Sequence, residues 1–337
     1  MERKEILKRL GYHFPEQYAK RVIVCTDAHN EADDQYAIVH HLLTPCENVL
    51  GIVASHYEYM TNMMCGKAKE LGMSEEELQK HLVEHQFAPL HGSVDLSYRE
   101  AQKILSLMGI DDIPLLRGAA DPFRDGEPLP ENNGSDFIIQ EALKRDEGKL
   151  YVCFQGSITD MAVALLKKPE IADNVVVIWI GGGKYPEGGE EFNLMQDVKA
   201  ADVVFQSGAE VWQIPKDTYT KAVISFAELV RRVKPCGELG AYLVENLFRF
   251  HEEIALGSNS GHAVHRDAWI LGDNPTVSVL AVEDFGEAYR MEHAPRINDD
   301  YSYTPNPDGK LIRVYERVHE RFIMEDLIAK LELCYGK

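Results

Sequence analysis

Apolar and polar positions along this chain change in blocks, and the blocks switch between two periodicities. "RVIVCT" (21–26) is a short, β-branched apolar run, suited to a strand buried on both faces. "DQYAIVHHLL" (34–43) then carries its apolar residues at helical spacing. "NVLGIVAS" (48–55) predicts the next strand. Helix and strand go on alternating: "REAQKILSLMG", "IPLLRGA", "SDFIIQEALKRD", "LYVCFQG", "ITDMAVALLKKP", "NVVVIWIGGG", "DVKAADVVFQSG" and "EVWQIPK". That rhythm predicts an α/β fold built on one doubly wound, mostly parallel sheet covered on both faces. No linker or low-complexity stretch divides the 337 residues, so a single domain over 1–337 is expected.

Two stretches depart from the rhythm. Residues 1–20 read as a charged amphipathic helix ending in a turn at Pro15. Residues 60–97 read as a helical insertion over one end of the sheet, a lid or an oligomer contact. Within it, Ser74 and Glu77 have capping-box spacing, so a helix should start there. His81 and His85 follow at i, i+4, a spacing that can bind zinc. Gln79, Lys80 and Glu84 beside them favour a solvated helix face instead.

Composition narrows the partners. The formal net charge of −20 argues against nucleic acid and anionic membranes, because phosphates would be repelled. It suits a cation and a neutral small molecule. The six cysteines form no C-x-x-C pair, and Cys25 and Cys153 fall inside apolar strand runs. Reduced thiols, no signal-like apolar segment in "MERKEILKRLGYHF" and no membrane-length run make the cytoplasm the expected location.

Ligands of open α/β sheets collect outside the carboxyl ends of the strands. There "DAHNEADD" (27–34) supplies Asp27, Asn30, Asp33 and Asp34 after the first strand. The second strand is followed by Ser55, His56 and Glu58, and "LYVCF" by Gln155, Gly156 and Ser157. Glu191 and Asn193 come after the "GGG" turn, and "HRDAWILGDNP" offers His265, Asp267 and Asp273. Carboxylates and amides without thiols are hard oxygen donors, favouring calcium or magnesium over zinc. Two alternatives remain open on these residues alone. Asp33 and Asp34 could simply cap the following helix, although that leaves Asp27 unexplained.

The segment "VIVCTDAHNEADDQYAIVHHLL" resembles the signature of the calcium-dependent, inosine-uridine preferring nucleoside hydrolases, written D-T-D-P-G-x-D-D-A-x-A-I. "VCFQGSITDMAVALLKKPEI", "VVVIWIGGG", "EEFNLMQDVKAADVVFQSG" and "GDNPTVSVLAV" resemble later family segments in the right order. The resemblance runs from about residue 21 to 330, apart from the insertion, and is most specific at "EFN". It implies a Ca²⁺-dependent enzyme that cleaves the N-glycosidic bond of a ribonucleoside or related ribosyl compound, and a homo-dimer or homo-tetramer. By residue, it implies metal binding by Asp27, Asp34, Asp273 and the backbone carbonyl at Gln155. It gives Asp27 the role of base, and ribose contacts to Asp33, Glu191 and Asn193.

Departures from the signature mark where the protein differs. Asp27 and Asp33 are six residues apart where the family has four, which places Asn30 in the loop as a further ribose or metal ligand. The family's asparagine after the second strand is absent, with His56 or Glu58 nearest. Its histidine before the late aspartate is Gly272 here, leaving His265 and Asp267 as candidate acids and Trp269 as a candidate stacking surface. A hydrolase of a different glycoside, or a non-catalytic ribose- or metabolite-binding protein, are the alternative readings. The intact Asp27 favours catalysis.

Overall fold

The computed structural model describes residues 1–84, 87–124, 126–257, 267–283 and 288–336. Its strands in chain order are β1 Lys20–Thr26, β2 Glu47–Ala54, β3 Leu115–Arg117, β4 Leu150–Phe154, β5 Val175–Ile180 and β6 Glu210–Ile214, followed by β7 Val223–Ser225, β8 Ala268–Ile270, β9 Ala288–His293, β10 Arg296–Ile297, β11 Tyr303–Thr304 and β12 Leu311–Arg317. Eight of them form one sheet in the order β3-β2-β1-β4-β5-β6-β12-β9. All neighbours are parallel except β9, which runs antiparallel to β12 at one edge. The alternating blocks of the sequence thus fold into the expected doubly wound sheet.

Strand β1 shows why both faces are covered. Val22 and Val24 point into one apolar layer and Ile23 and Cys25 into the other, and all four are buried. The first layer packs against the helices Asp34–Leu42, Ser93–Met108 and Glu320–Tyr335, and the second against Asn133–Ala142, Thr159–Lys167 and Val198–Gln206. A strand buried on both sides gains from apolar residues at every position, so it reads as a continuous run rather than an alternation.

The strand order reverses between β1 and β4, which pair from Arg21↔Leu150 to Cys25↔Phe154. Connections from these two strands leave in opposite directions, opening a crevice beyond their carboxyl ends. Two features lie outside the main sheet. β7 pairs antiparallel with β8 through Ile224↔Trp269, which carries Gly272 and Asp273 to the crevice. Residues 59–84 contribute the helices Tyr59–Glu70 and Glu75–Glu84. The expected capping box is present, with Ser74 N–H donating to Glu77 Oε2 at 2.7 Å and Glu77 N–H to Ser74 Oγ at 3.3 Å. The N-terminus folds as a shorter helix, Arg3–Leu7, continued by a tight turn at Lys8–Leu10. Gly11 ends it in the left-handed region at φ 75°, where a residue without Cβ is unstrained.

Candidate active site

The acidic loop is pinned at four points before any ligand is considered. Thr26 Oγ1 donates to Asp34 Oδ1 at 2.5 Å, and Asn30 Nδ2 to Asp27 Oδ2 at 2.9 Å. Gln35 Nε2 donates to the Ala28 carbonyl at 2.5 Å, and Gly272 N–H donates to Asp33 Oδ2 at 2.8 Å. Asp33 stands at the N-cap of the helix Asp34–Leu42, yet its side chain makes no capping bond. Its carboxylate is spent on the distant Gly272 instead, so helix capping does not account for the acids. Asn30, one of the surplus loop residues, turns back onto Asp27, with its own N–H also bonded to the Asp27 carbonyl at 2.7 Å.

Asp27, Asn30, Glu31, Asp33, Asp34, Gln155, Ile180, Glu191, Phe192, Asn193, Tyr219, Gly272 and Asp273 line one narrow cleft of about 40 Å³ at the carboxyl edge of the sheet. Eight of these were expected from the sequence: Asp27, Asn30, Asp33, Asp34, Gln155, Glu191, Asn193 and Asp273. The carboxylates of Asp33, Asp34 and Asp273 come within 4.8 Å of one another, and Asp27 lies outside that trio. Glycine is required beside Asp27, because a Cβ at Gly156 would sit 2.7 Å from its carboxyl.

Among the described residues no basic side chain lines the cleft, and the acids respond accordingly. Burial pushes Asp27 well above the carboxylate range, reinforced by Glu31 and opposed by the Asn30 hydrogen bond. Asp34 and Asp273 are likewise raised, first by burial and then by the neighbouring aspartates. Burial lifts Asp33 to about 6, with the Gly272 N–H holding it down. Glu31 keeps solvent access on one side, while the protein around it and the charges of Asp33, Asp34 and Glu191 push it to about 8. So many acids in one place are stable together only if protons or a cation offset them. Gln155 adds a buried Oε1 with no hydrogen-bond partner among the described residues.

The far wall is organised by Glu191. Its carboxylate accepts from Gly182 N–H at 2.8 Å, Leu194 N–H at 2.9 Å, Asn193 N–H at 3.1 Å and the Tyr219 hydroxyl at 2.9 Å. Four donors fill the acceptor sites of a carboxylate, so Glu191 positions its neighbours. Asn193 spends both amide hydrogens on the carbonyls of Ile180 (2.9 Å) and Gln155 (3.3 Å), leaving its side-chain oxygen for a ligand.

Two expected site residues fall elsewhere. Glu58 is buried under the insertion, accepting from Ser93 N–H (3.0 Å), Ser93 Oγ (2.6 Å) and His91 N–H (3.3 Å). Trp269 packs edge-on against Phe250 and His251 within an aromatic cluster, because β8 turns its side chain toward the helix Gly237–Gly257. His265 lies outside the described residues, as does His85 of the insertion. His56 is buried and bonded through Nε2 to Thr159 Oγ1 at 2.8 Å. Conversely, Glu31 and Tyr219 line the cleft without having been singled out. Glu31 sat inside the quoted loop and could have been found there, whereas Tyr219 follows a strand end only through the short helix Lys216–Tyr219.

Solved structures place this architecture. The purine-preferring ribonucleoside hydrolase from Gardnerella vaginalis superposes with a TM-score of 0.71 at 19% identity, over 94% of this chain and 99% of that one. The fold is therefore that of the nucleoside hydrolases. The family model described as inosine-uridine preferring nucleoside hydrolase matches residues 90–304, and the chain belongs to that family of N-ribosyl hydrolases. Among curated relatives, the pyrimidine-specific ribonucleoside hydrolase RihA of Salmonella arizonae is 27% identical over 72% of this chain and 86% of its own length. The probable uridine nucleosidase 2 of Arabidopsis thaliana is 25% identical over 52% of this chain, and the alignment spans only 64% of that relative. The family match begins after the acidic loop, so the loop with its two surplus residues lies outside it.

Proposed function

We propose that the protein is a calcium-dependent hydrolase that cleaves the N-glycosidic bond of a ribonucleoside, with Asp27 as the base. The observation that carries this reading is the convergence of Asp27, Asp33, Asp34 and Asp273 with Asn193 in one cleft that, among the described residues, is lined by no basic side chain. The donor set fits a hard divalent cation: clustered buried carboxylates, plus the unpartnered Oε1 of Gln155. Asp34 and Asp273 would hold it, together with Asp27 and a donor from Gln155. Bound there, the cation supplies positive charge that makes a water easier to deprotonate.

The protein's own groups do the rest. Asp27 takes the proton of the attacking water. Asn30 keeps its carboxyl in place. Asp33 and the side-chain oxygen of Asn193 accept hydrogen bonds from ribose hydroxyls, with Glu191 and Tyr219 holding that wall. As the bond to the base breaks, positive charge grows on the sugar and the surrounding carboxylates stabilise it.

The test is release of free ribose from a panel of ribosides, with calcium and after chelation. The relatives' names divide between pyrimidine and purine substrates, so the panel takes uridine, cytidine, inosine and guanosine. Calcium-dependent release that disappears in Asp27→Ala supports the reading. Tight ribose binding with no release from any riboside would replace it with a binding function.

A further inference from the structure

The helix Asp34–Leu42 nears its end with two adjacent histidines, His40 and His41, and both are fully buried. A buried ionisable pair is a weak source of stability, so the bonds of these residues call for another account. His41 Nδ1 lies 2.6 Å from Oε2 of the equally buried Glu47, and His41 Nε2 lies 3.0 Å from Thr276 Oγ1. The same hydroxyl donates to the Asp273 carbonyl at 2.6 Å and accepts from Gln155 Nε2 at 3.2 Å. Glu47, His41 and Thr276 thus form a buried chain that ends on two residues of the acidic cleft.

Each bond of the chain has a fixed direction. A backbone carbonyl only accepts, so the one proton of the Thr276 hydroxyl goes to Asp273. Both lone pairs of that oxygen must then face donors. One donor is a proton on His41 Nε2, which leaves Nδ1 turned to Glu47. The other is the Gln155 amide, whose nitrogen is therefore held at Thr276. Its oxygen is the buried Oε1 that has no partner among the described residues. Thr276 thereby decides which end of the amide is left for a ligand.

The turn that carries Glu47 is fixed in its own right. Buried Arg3 donates to the carbonyls of His41, Leu42, Thr44 and Glu47 at 2.8–3.1 Å. His40 grips the residue next to Asp273, with its Nδ1 3.1 Å from Asn274 Nδ2 and its Nε2 2.9 Å from Asp326 Oδ2. The helix that begins with Asp34 therefore holds, by its other end, the segment that carries Asp273.

We propose that His41, held by Glu47, is a positioning residue for a divalent cation: through Thr276 it presents Gln155 Oε1 and fixes Asp273. This rests on the calcium reading of the cleft and deepens it. Outer hydrogen-bond partners orient the groups that ligate a metal, and losing one weakens metal binding about tenfold to a hundredfold.

The experiment is calorimetric titration of chelator-stripped protein with calcium, beside thermal unfolding in chelator and ribose release from uridine and inosine. Thr276→Val keeps the shape, removes the hydroxyl and should raise the calcium Kd about tenfold to a hundredfold. Thr276→Ser keeps the hydroxyl and should stay near wild type, whereas weakening equal to that of Thr276→Val overturns the proposal. His41→Leu combined with Glu47→Leu leaves no charge buried alone and should raise Kd in the same direction. That double variant decides the matter if Thr276→Val does not fold. An unchanged Kd in the folded variants, even with a lower melting temperature in chelator, reveals a merely structural role and overturns the proposal. The hydrolase reading would then stand. Wild type that binds calcium but releases no ribose ends the hydrolase reading, while the Kd values still decide the chain. Wild type that binds no calcium overturns the proposal and removes calcium from that reading, leaving ribose release to test hydrolysis by itself.

Discussion

Asp33 Oδ2 accepts the backbone N–H of Gly272 at 2.8 Å, joining the start of the chain to a segment 239 residues later. The bond closes the acidic cleft and spends the carboxylate that would otherwise cap a helix. Asp33→Asn keeps an oxygen for Gly272 but removes one of the clustered negative charges. Burial holds Asp33 at about 6, above its unfolded value of 3.8, so ionising it at neutral pH costs stability. We expect the chelator-treated variant to melt a few degrees higher than wild type, from roughly 1–3 kcal/mol. Activity should fall roughly 100-fold or more, since the proposed contact of this carboxylate with the sugar is lost. A lower melting temperature without metal would show that the acid cluster is not strained.

Removal of a divalent cation should act on folding as well as on turnover. Anything bound only by the native state stabilises it by mass action, about 2.7 kcal/mol at a hundredfold excess over Kd. Thermal unfolding with millimolar calcium and with chelator should therefore separate, and Asp273→Ala should abolish the separation. Asp273 belongs to the trio of carboxylates within 4.8 Å, so its loss dismantles the donor set. Superimposable melting curves for wild type would remove the case for a cation site.

The legibility of this molecule in its sequence was uneven for physical reasons. β1, β4 and β5 were readable because strands buried on both faces must be apolar throughout, as in "VVVIWI". The residues after those strands were readable as neighbours in one cleft because the strand order puts the carboxyl ends of β1 and β4 side by side. Glu58 and Trp269 were misplaced because adjacency to a strand end does not tell which way a side chain turns. Glu58 turned under the insertion and Trp269 into an aromatic cluster. The filling of Glu191 by four donors depends on Tyr219 and Gly182, which only the folded chain brings to it.

Glu58 gives that distinction an experimental form. Its buried carboxylate receives three hydrogen bonds from His91 and Ser93, where the insertion rejoins the helix Ser93–Met108. Glu58→Ala leaves buried donors unsatisfied and should cost about 1–3 kcal/mol in denaturant unfolding. Because the carboxylate does not line the cleft, inhibition by free ribose should be unchanged in the folded variant. A loss of ribose affinity with stability preserved would return Glu58 to the substrate site.

Asp160 sets the pH dependence of stability away from the cleft. It is fully buried, accepting from Ala119 N–H at 2.9 Å and Ser135 Oγ at 3.0 Å. A Cβ at Gly118 would fall 2.0 Å from its carboxyl, so the chain is built tightly around it. Burial lifts it to about 6 against 3.8 when unfolded, which means the native state holds this proton more tightly. Its contribution is fully present below about pH 4 and is lost as pH rises through 6, up to ~3 kcal/mol. Asp160→Asn preserves an acceptor oxygen for both donors and carries no charge at any pH. Relative to wild type, its melting temperature should gain progressively between pH 4 and 6.5 and stay constantly higher above that. A difference between the two proteins that does not change with pH would show that Asp160 titrates alike in both states.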